Sequence, residues 1–248
     1  MTGASSGIGE SFARLLAARG VDVVLVARRG EVLQGLAEEL RGRGVRVEVM
    51  AADLTDADDL ARVCVRAAEV DLLVNNAGFG AFGSFVELAV DDHRRQIALN
   101  VAALTELTHA ALGPMAARGH GGILNVASVA AYAPSPGSAV YGASKAFVTS
   151  FTESLHAEAR ASGVHVTALC PGFTRTDEET PTGLVWLARH KVAAAGLAAV
   201  ARGKDRCVPG PQYRALVPVL ALTPSAVRRA VAGALWRRLL AAEGARDL

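Results

Sequence analysis

This 248-residue chain is poor in long apolar runs, paired metal ligands and clustered cysteines. Its uncharged stretch from about Ile123 to Ser144 is broken by Pro134 and Pro136. No run reaches the roughly 18 apolar residues that span a bilayer, so a membrane-spanning helix is excluded. Cys64, Cys170 and Cys207 are odd in number, far apart and free of C-x-x-C spacing. They read as reduced thiols in a cytoplasm rather than a disulfide framework. The six histidines show no H-E-x-x-H pattern, and His93 and His165 read as surface or satisfied residues, so no metal is expected. A net charge of +2 without a basic stripe interleaved with aromatics gives no reason to expect nucleic acid. Tyrosine and lysine are scarce, three of each, so any regular pairing between them carries information.

Half of the residues are hydrophobic and a fifth are charged, and the length suits one domain over residues 1–248. The pattern alternates. Apolar, β-branched runs "VDVVLVARR", "VRVEVMAADL", "VDLLVNNAG", "GGILNVAS" and "VHVTALCPG" read as buried strands. Between them, "SFARLLAARG", "GEVLQGLAEELRGRG", "TDADDLARVCVRAAE", residues 91–118 and residues 141–162 have helical periodicity. Thr55 and Asp58 are placed for a weak capping box on the third of these helices. Such alternation predicts an α/β fold, a doubly wound parallel sheet with helices on both faces. After Pro171 the polar "TRTDEETPTG" opens a variable segment, 173–195, that is either a substrate lid or a plain surface loop. "KVAAAGLAAVARG" is a further helix, "RCVPGP" a short strand, and 213–242 a helical tail broken at Pro224. The tail carries arginine pairs at 228–229 and 237–238, suited to a solvated face or to peripheral contact with an acidic membrane.

The N-terminal "TGASSGIG" sets Gly3, Gly7 and Gly9 where a backbone can turn tightly and approach a pyrophosphate, with a helix starting near Gly7. Tyr141 lies four residues before Lys145, hence on the same helical face. A phenol with an ordinary pKa of about 10 is a poor proton shuttle, and an ammonium beside it is expected to lower that value. Ser128, at the end of a strand, offers a hydroxyl to orient a substrate oxygen, or serves as a turn former. Asn100 is an unfavourable choice inside a helix, which suggests a role.

The T-G-x-x-x-G-x-G loop, "NNAG" at 75–78, Asn100 in "ALNVAALTE", Ser128 in "NVAS", "YGASK" and "PGFTRT" at 171–176 stand in one order. Together they resemble the short-chain dehydrogenase/reductase family, and the tail resembles a bacterial subgroup of ketone and acyl reductases. The resemblance implies a Rossmann-type fold and hydride transfer between NADP(H) and a small, apolar carbonyl or alcohol. It assigns catalysis to Asn100, Ser128, Tyr141 and Lys145, with Lys145 also on the nicotinamide ribose and Asn100 holding a water that links Lys145 to solvent. The cofactor loop would comprise Gly3, Ser5, Ser6, Gly7, Ile8 and Gly9. Asp53 and Leu54 would meet the adenine, Asn76, Ala77 and Gly78 the adenosine ribose, and Pro171, Gly172, Thr174 and Thr176 the carboxamide. Thr174 stands where the family usually has an aliphatic residue.

At the end of the second strand of this pattern, Arg28 and Arg29 stand where an NAD site needs a carboxylate, which favours NADP(H). A catalytically idle NADP(H)-binding or scaffold protein is the alternative, against which the intact quartet argues. Leu104, Leu107, Phe147, Phe151 and Leu155 are expected to offer an apolar face for a homo-oligomer. The glycine loop should follow a central strand, yet only Met1 precedes it. The expectation is therefore that the first strand is missing from this sequence and that Met1 is not the true start. Without that strand, "VDVVLVA" and "VDLLVNN" would each present an unpaired buried edge.

Overall fold

A computed structural model describes residues 1–175 and 185–244, with side chains through residue 238. Parallel strands Val23–Ala27 (β1) and Val47–Ala51 (β2) pair in register from Val23↔Val47 to Ala27↔Ala51. A second parallel group has the order Leu72–Asn75 (β3), Gly121–Val126 (β4), Val164–Leu169 (β5) and Arg206–Cys207 (β8). Thr174–Arg175 (β6) and Leu187–Ala188 (β7) form a separate small pair beside them.

Residues 1–4 lie between the two groups. Thr2 forms a parallel bridge to Val26, and its N–H donates to the Val74 carbonyl at 3.0 Å. The Met1 carbonyl accepts from Val26 N–H at 3.0 Å, the Met1 amine donates to Val24 at 2.8 Å, and Ala4 N–H donates to Val26 at 3.2 Å. The spatial order is therefore β2-β1-(1–4)-β3-β4-β5-β8, the order of a doubly wound sheet. Residues 1–4 hold the central place, so the facing edges of β1 and β3 are partly satisfied rather than bare.

Helices Gly7–Ala17 (α1), Gly30–Arg41 (α2) and Arg189–Ala201 (α7) cover one face. Phe12, Leu16, Leu33, Leu40, Val192 and Leu197 pack there against Leu25 and Leu124. Ala57–Ala67 (α3), Leu104–Arg118 (α5) and Ala139–Ala159 (α6) cover the other. Leu60, Val63, Leu107 and Met115 meet Val26, Leu73, Ile123 and Val166. Full burial of each large side chain contributes roughly 1.5–3 kcal/mol.

Several expectations are revised. Asp56, not Thr55, caps α3, its carboxylate accepting the Asp58 and Asp59 N–H groups at 3.1 and 3.0 Å. Residues 91–118 are not one α-helix: Val90–Ile97 (α4) passes through a π-helical turn, Ala98–Ala103, before α5. Leu104 and Leu107 are buried within the subunit, so neither serves an oligomer face, whereas Phe147 is partly exposed and stacks on Phe151 at 5.5 Å. The tail forms Pro211–Leu222 (α8) and Ser225–Gly244 (α9), parted at Pro224 as expected. Arg228 does not face only solvent: it donates to the Tyr132 carbonyl at 2.8 Å. No helix among the described residues is long and apolar enough to cross a membrane.

The Thr2 hydroxyl accepts both Asn76 N–H and Ala77 N–H, at 3.0 and 2.9 Å, in a buried position. Thr2→Val keeps the shape and strands both donors. Thermal denaturation should show a loss of about 2 kcal/mol, or roughly 4–8 °C.

Candidate active site

The glycine loop is built by close backbone approach. Gly3 has φ +66°, and an added Cβ at Gly9 would lie 2.0 Å from the Gly3 carbonyl oxygen, so α1 can start there only with glycine. Asn76 Nδ2 braces the same loop, donating to the Thr2 and Gly3 carbonyls at 3.1 and 3.3 Å. Gly7 opens α1, and Ser5 and Ser6 precede it, Ser6 exposed and Ile8 half-buried against the core. The first N–H groups of the helix thus stand at the carboxyl ends of the strands, where the helix dipole favours an anion.

One arginine reaches this loop and its neighbour stands by Asp53. Arg29 donates to the Ser5 hydroxyl at 3.0 Å and to its carbonyl at 3.1 Å. Arg28 stands 3.9 Å from Asp53 and is largely exposed. Partial burial pushes the Asp53 carboxyl up, but hydrogen bonds from Thr55, with Arg28 and Arg95 nearby, leave it below its ordinary value. The Leu54 side chain is buried in the core with Leu60 and Val63, so only its backbone is left to meet a ligand. The cradle is closed to side chains, has the Arg29 guanidinium at its rim and is set at a helix start. It fits a dinucleotide.

Ser128 lies two residues beyond the end of β4 and caps the short 3₁₀ turn Val129–Tyr132, its hydroxyl accepting Ala130 N–H at 3.1 Å. It is therefore a turn former, and its hydroxyl is also near enough to the Tyr141 phenol to draw that group's pKa down. One turn along α6 from Tyr141, Lys145 is 6 % exposed, with Nζ donating to the Val126 carbonyl at 2.8 Å and lying 5.7 Å from the centre of the Tyr141 ring. Asn100, in the π-helical turn, donates to the Phe79 carbonyl at 2.9 Å and the Ser144 hydroxyl at 3.1 Å, and accepts Phe79 N–H at 3.1 Å. Ser144 donates in turn to the Tyr141 carbonyl at 2.8 Å. A π-turn at such a place re-aims one side chain inward from an otherwise regular helix. Gly78 lies against both Asn100 and Lys145. Ser128, Tyr141, Lys145 and Asn100 thus meet at one end of the sheet.

The electrostatics differ from expectation. Burial pushes the Tyr141 phenol up, while the Ser128 hydrogen bond draws it down by less. The expected lowering by Lys145 is absent because that amine is itself desolvated, its pKa pulled down to about 8 by burial, against a smaller opposite pull from Cys170. A phenol held in its neutral form is a proton donor at neutral pH.

Pro171 is buried and accepts Val129 N–H at 3.0 Å, which places Gly172 beside the Ser128 turn. Thr174 donates to the Gly172 carbonyl at 2.9 Å. Thr176, and residues 176–184 of the 173–195 segment, lie outside the described residues. Among the described residues, no group of three His, Cys, Asp or Glu is placed to hold a metal. The sequence carried no signal for Thr2 and Ser144, because Thr2 acts through the backbone of Asn76 and Ala77 and Ser144 through the Asn100 side chain, all remote in the chain.

A glycine loop leading into a helix at the carboxyl ends of a parallel sheet defines a Rossmann-type, dinucleotide-binding α/β protein. Residues 1–183 match the short chain dehydrogenase family, and the chain belongs to it. It is an oxidoreductase of that family. It is 39% identical over 181 residues, 71% of this chain and 68% of the relative, to Oxidoreductase UcpA of Escherichia coli (strain K12). Its structure is similar to a short-chain dehydrogenase from Sphingobium yanoikuyae in complex with NADPH, with TM-score 0.79, 37% identity and coverage of 96% and 93% of the two chains. It is also similar to the bulky-bulky ketone specific alcohol dehydrogenase from Comamonas testosteroni, with TM-score 0.80, 34% identity and coverage of 91% and 94%.

Lys145 gives a pH signature. Between about pH 8 and 10.5 the unfolded chain binds more protons at this lysine than the folded one, so stability rises with pH through that window. The cost of the buried ammonium is fully present below it. Relative to Lys145→Met, the wild type should gain on the order of 1–3 kcal/mol from about pH 7.5 to about pH 10 in urea unfolding without cofactor.

Proposed function

We propose that the chain is an NADPH-dependent reductase of apolar carbonyl compounds, with Tyr141 as general acid. The observation that carries this is the convergence of a neutral, partly buried phenol, the Ser128 hydroxyl near it and the desolvated Lys145 amine 5.7 Å from its ring centre. NADPH, when bound, supplies the hydride. Gly3 to Gly9 and the start of α1 would hold its pyrophosphate, Arg28 and Arg29 its 2′-phosphate, and Asp53 the adenine. Asn76 to Gly78 would form the wall of the adenosine ribose, and Lys145 would take the nicotinamide ribose.

Ser128 orients the carbonyl oxygen toward the phenol. Tyr141 gives its proton to that oxygen as negative charge develops, leaving a phenolate. Lys145, with a pKa of about 8, then stabilises the phenolate and returns a proton to it. Asn100, locked by Phe79 and Ser144, holds the backbone of this corner still. Apolar side chains around the site support an apolar substrate. Phe82 lies 6.1 Å from the Tyr141 ring and is largely exposed, as is Phe173. The alcohol dehydrogenase from Comamonas testosteroni that this fold is similar to is described as bulky-bulky ketone specific, which supports the same class.

Tyr141→Phe should lower turnover of a ketone by roughly 10²–10⁴-fold while NADPH affinity stays within about threefold, as read by steady-state kinetics and nucleotide fluorescence. More than about a tenth of wild-type turnover would remove the general-acid assignment.

Charge-assisted contacts to phosphate contribute about 1.5–3 kcal/mol each. Arg28→Ala combined with Arg29→Ala should therefore collapse the preference for NADPH over NADH, measured as the ratio of dissociation constants. An unchanged ratio would return the 2′-phosphate to other residues.

A further inference from the structure

Tyr213, on α8, belongs to none of the motifs that define the site, yet its side chain ends beside it. It is 5 % exposed. Its hydroxyl accepts Phe173 N–H at 3.0 Å and donates to the Val185 carbonyl at 2.6 Å. One phenolic oxygen thus ties together two backbone positions well separated in the chain. The ring itself fills the space a side chain would need at Gly172, where an added Cβ would lie 2.0 Å from Tyr213 Cζ. Beyond the clamp, Leu187 N–H donates to the Phe173 carbonyl at 2.8 Å and β6 pairs with β7.

The side chains carried by this clamped backbone are apolar and turned outward. Phe173 is 61% exposed and Val185 52%. Phe173 meets Trp186, the residue after Val185, with ring centres 5.3 Å apart and planes tilted by 53°. Such a pair gains from its own ring contact, but it is not buried in the core, and its place depends on the backbone beneath it. The Pro171 carbonyl accepts Val129 N–H, one residue after Ser128, so the clamped backbone starts beside the hydroxyl that orients the substrate oxygen.

We propose that Tyr213 is a positioning residue that sets substrate selectivity, holding the Phe173–Trp186 pair as an aromatic wall that favours carbonyl compounds with an aryl or similarly bulky substituent. The proposal rests on the reductase reading above. Tyr213 does not touch the reacting atoms and acts through Gly172, Phe173 and Val185. Removing its hydroxyl while keeping the ring leaves the packing on Gly172 in place and frees the two backbone groups.

The test is Tyr213→Phe in the full chain, assayed with NADPH on acetophenone and on propanal. The ratio of kcat/KM for the two substrates should fall about fivefold or more, chiefly through KM for acetophenone. The kcat pH profile should keep its shape. A merely structural role lowers the active fraction equally for both substrates, so a ratio within about twofold of wild type overturns the proposal. Phe173→Ala should lower the same ratio, and adding Tyr213→Phe to it should change it by less than about twofold, since the wall is already gone. Full additivity overturns the proposal. Amide exchange of Phe173 N–H should speed up about tenfold in Tyr213→Phe relative to β5 amides, and unchanged exchange also overturns it. This readout needs no turnover. A wild type that reduces neither carbonyl refutes the reductase reading, and the exchange rate then decides on the clamp alone.

Discussion

Residues 1–4 are the seam on which the sheet depends. They are the only described backbone hydrogen-bonded both to β1, through Val24 and Val26, and to β3, through Val74. A parallel sheet buried on both faces has no water with which to satisfy its strand edges, so whatever occupies the centre must supply those bonds. The same residues carry the glycine loop. Thr2 holds the backbone at Asn76 and Ala77, and Asn76 Nδ2 returns bonds to Thr2 and Gly3. Sheet continuity, the shape of the glycine cradle and the backbone at Asn76 and Ala77 beside it are therefore one constraint. A change at Thr2 is felt in all three.

A second polar layer holds the corner where Ser128, Tyr141, Lys145 and Asn100 meet. Asn75 donates to Thr108 on α5 and to Asn125 on β4, and Asn125 donates to Thr152 on α6, each near 3 Å and buried. This chain ties both strands to the two helices flanking them. Above it, Asn100, Phe79, Ser144 and Tyr141 continue the linkage to the strand ends. Buried polar networks are costly when half satisfied, so each partner restricts the others to few arrangements. The result is a rigid base under Tyr141 and Lys145, with apolar side chains such as Phe82 and Phe173 set around it.

Parts of this were legible in the residues alone. The alternation of β-branched runs with helical periodicity corresponds to the observed strands and helices, and Pro224 parts α8 from α9 where proline should. The spacing of Tyr141 and Lys145 placed them on one face of α6, and the loop glycines bear the approach distances that a close turn requires. Other features had no local signal. Asp56 caps α3 rather than Thr55 because both are able cap residues and it is Asp56 that stands at the extended position before the helix, while the Thr55 hydroxyl is taken by Asp53. The π-turn carries Asn100, whose partners Phe79 and Ser144 are remote in sequence.

Local sequence thus determined the order of elements, the glycine cradle, the arginines beside it and the pairing of Tyr141 with Lys145. All of these rest on interactions within a few residues or on intrinsic backbone freedom. Tertiary structure alone decided which leucines of α5 were spent in the core, the direction in which the Tyr141 phenol is shifted, and the reach of Tyr213 to Phe173 and Val185. Burial and long-range hydrogen bonds depend on what the rest of the chain brings alongside. Desolvation of a side chain is a property of its neighbours in space, and no spacing along the chain encodes it.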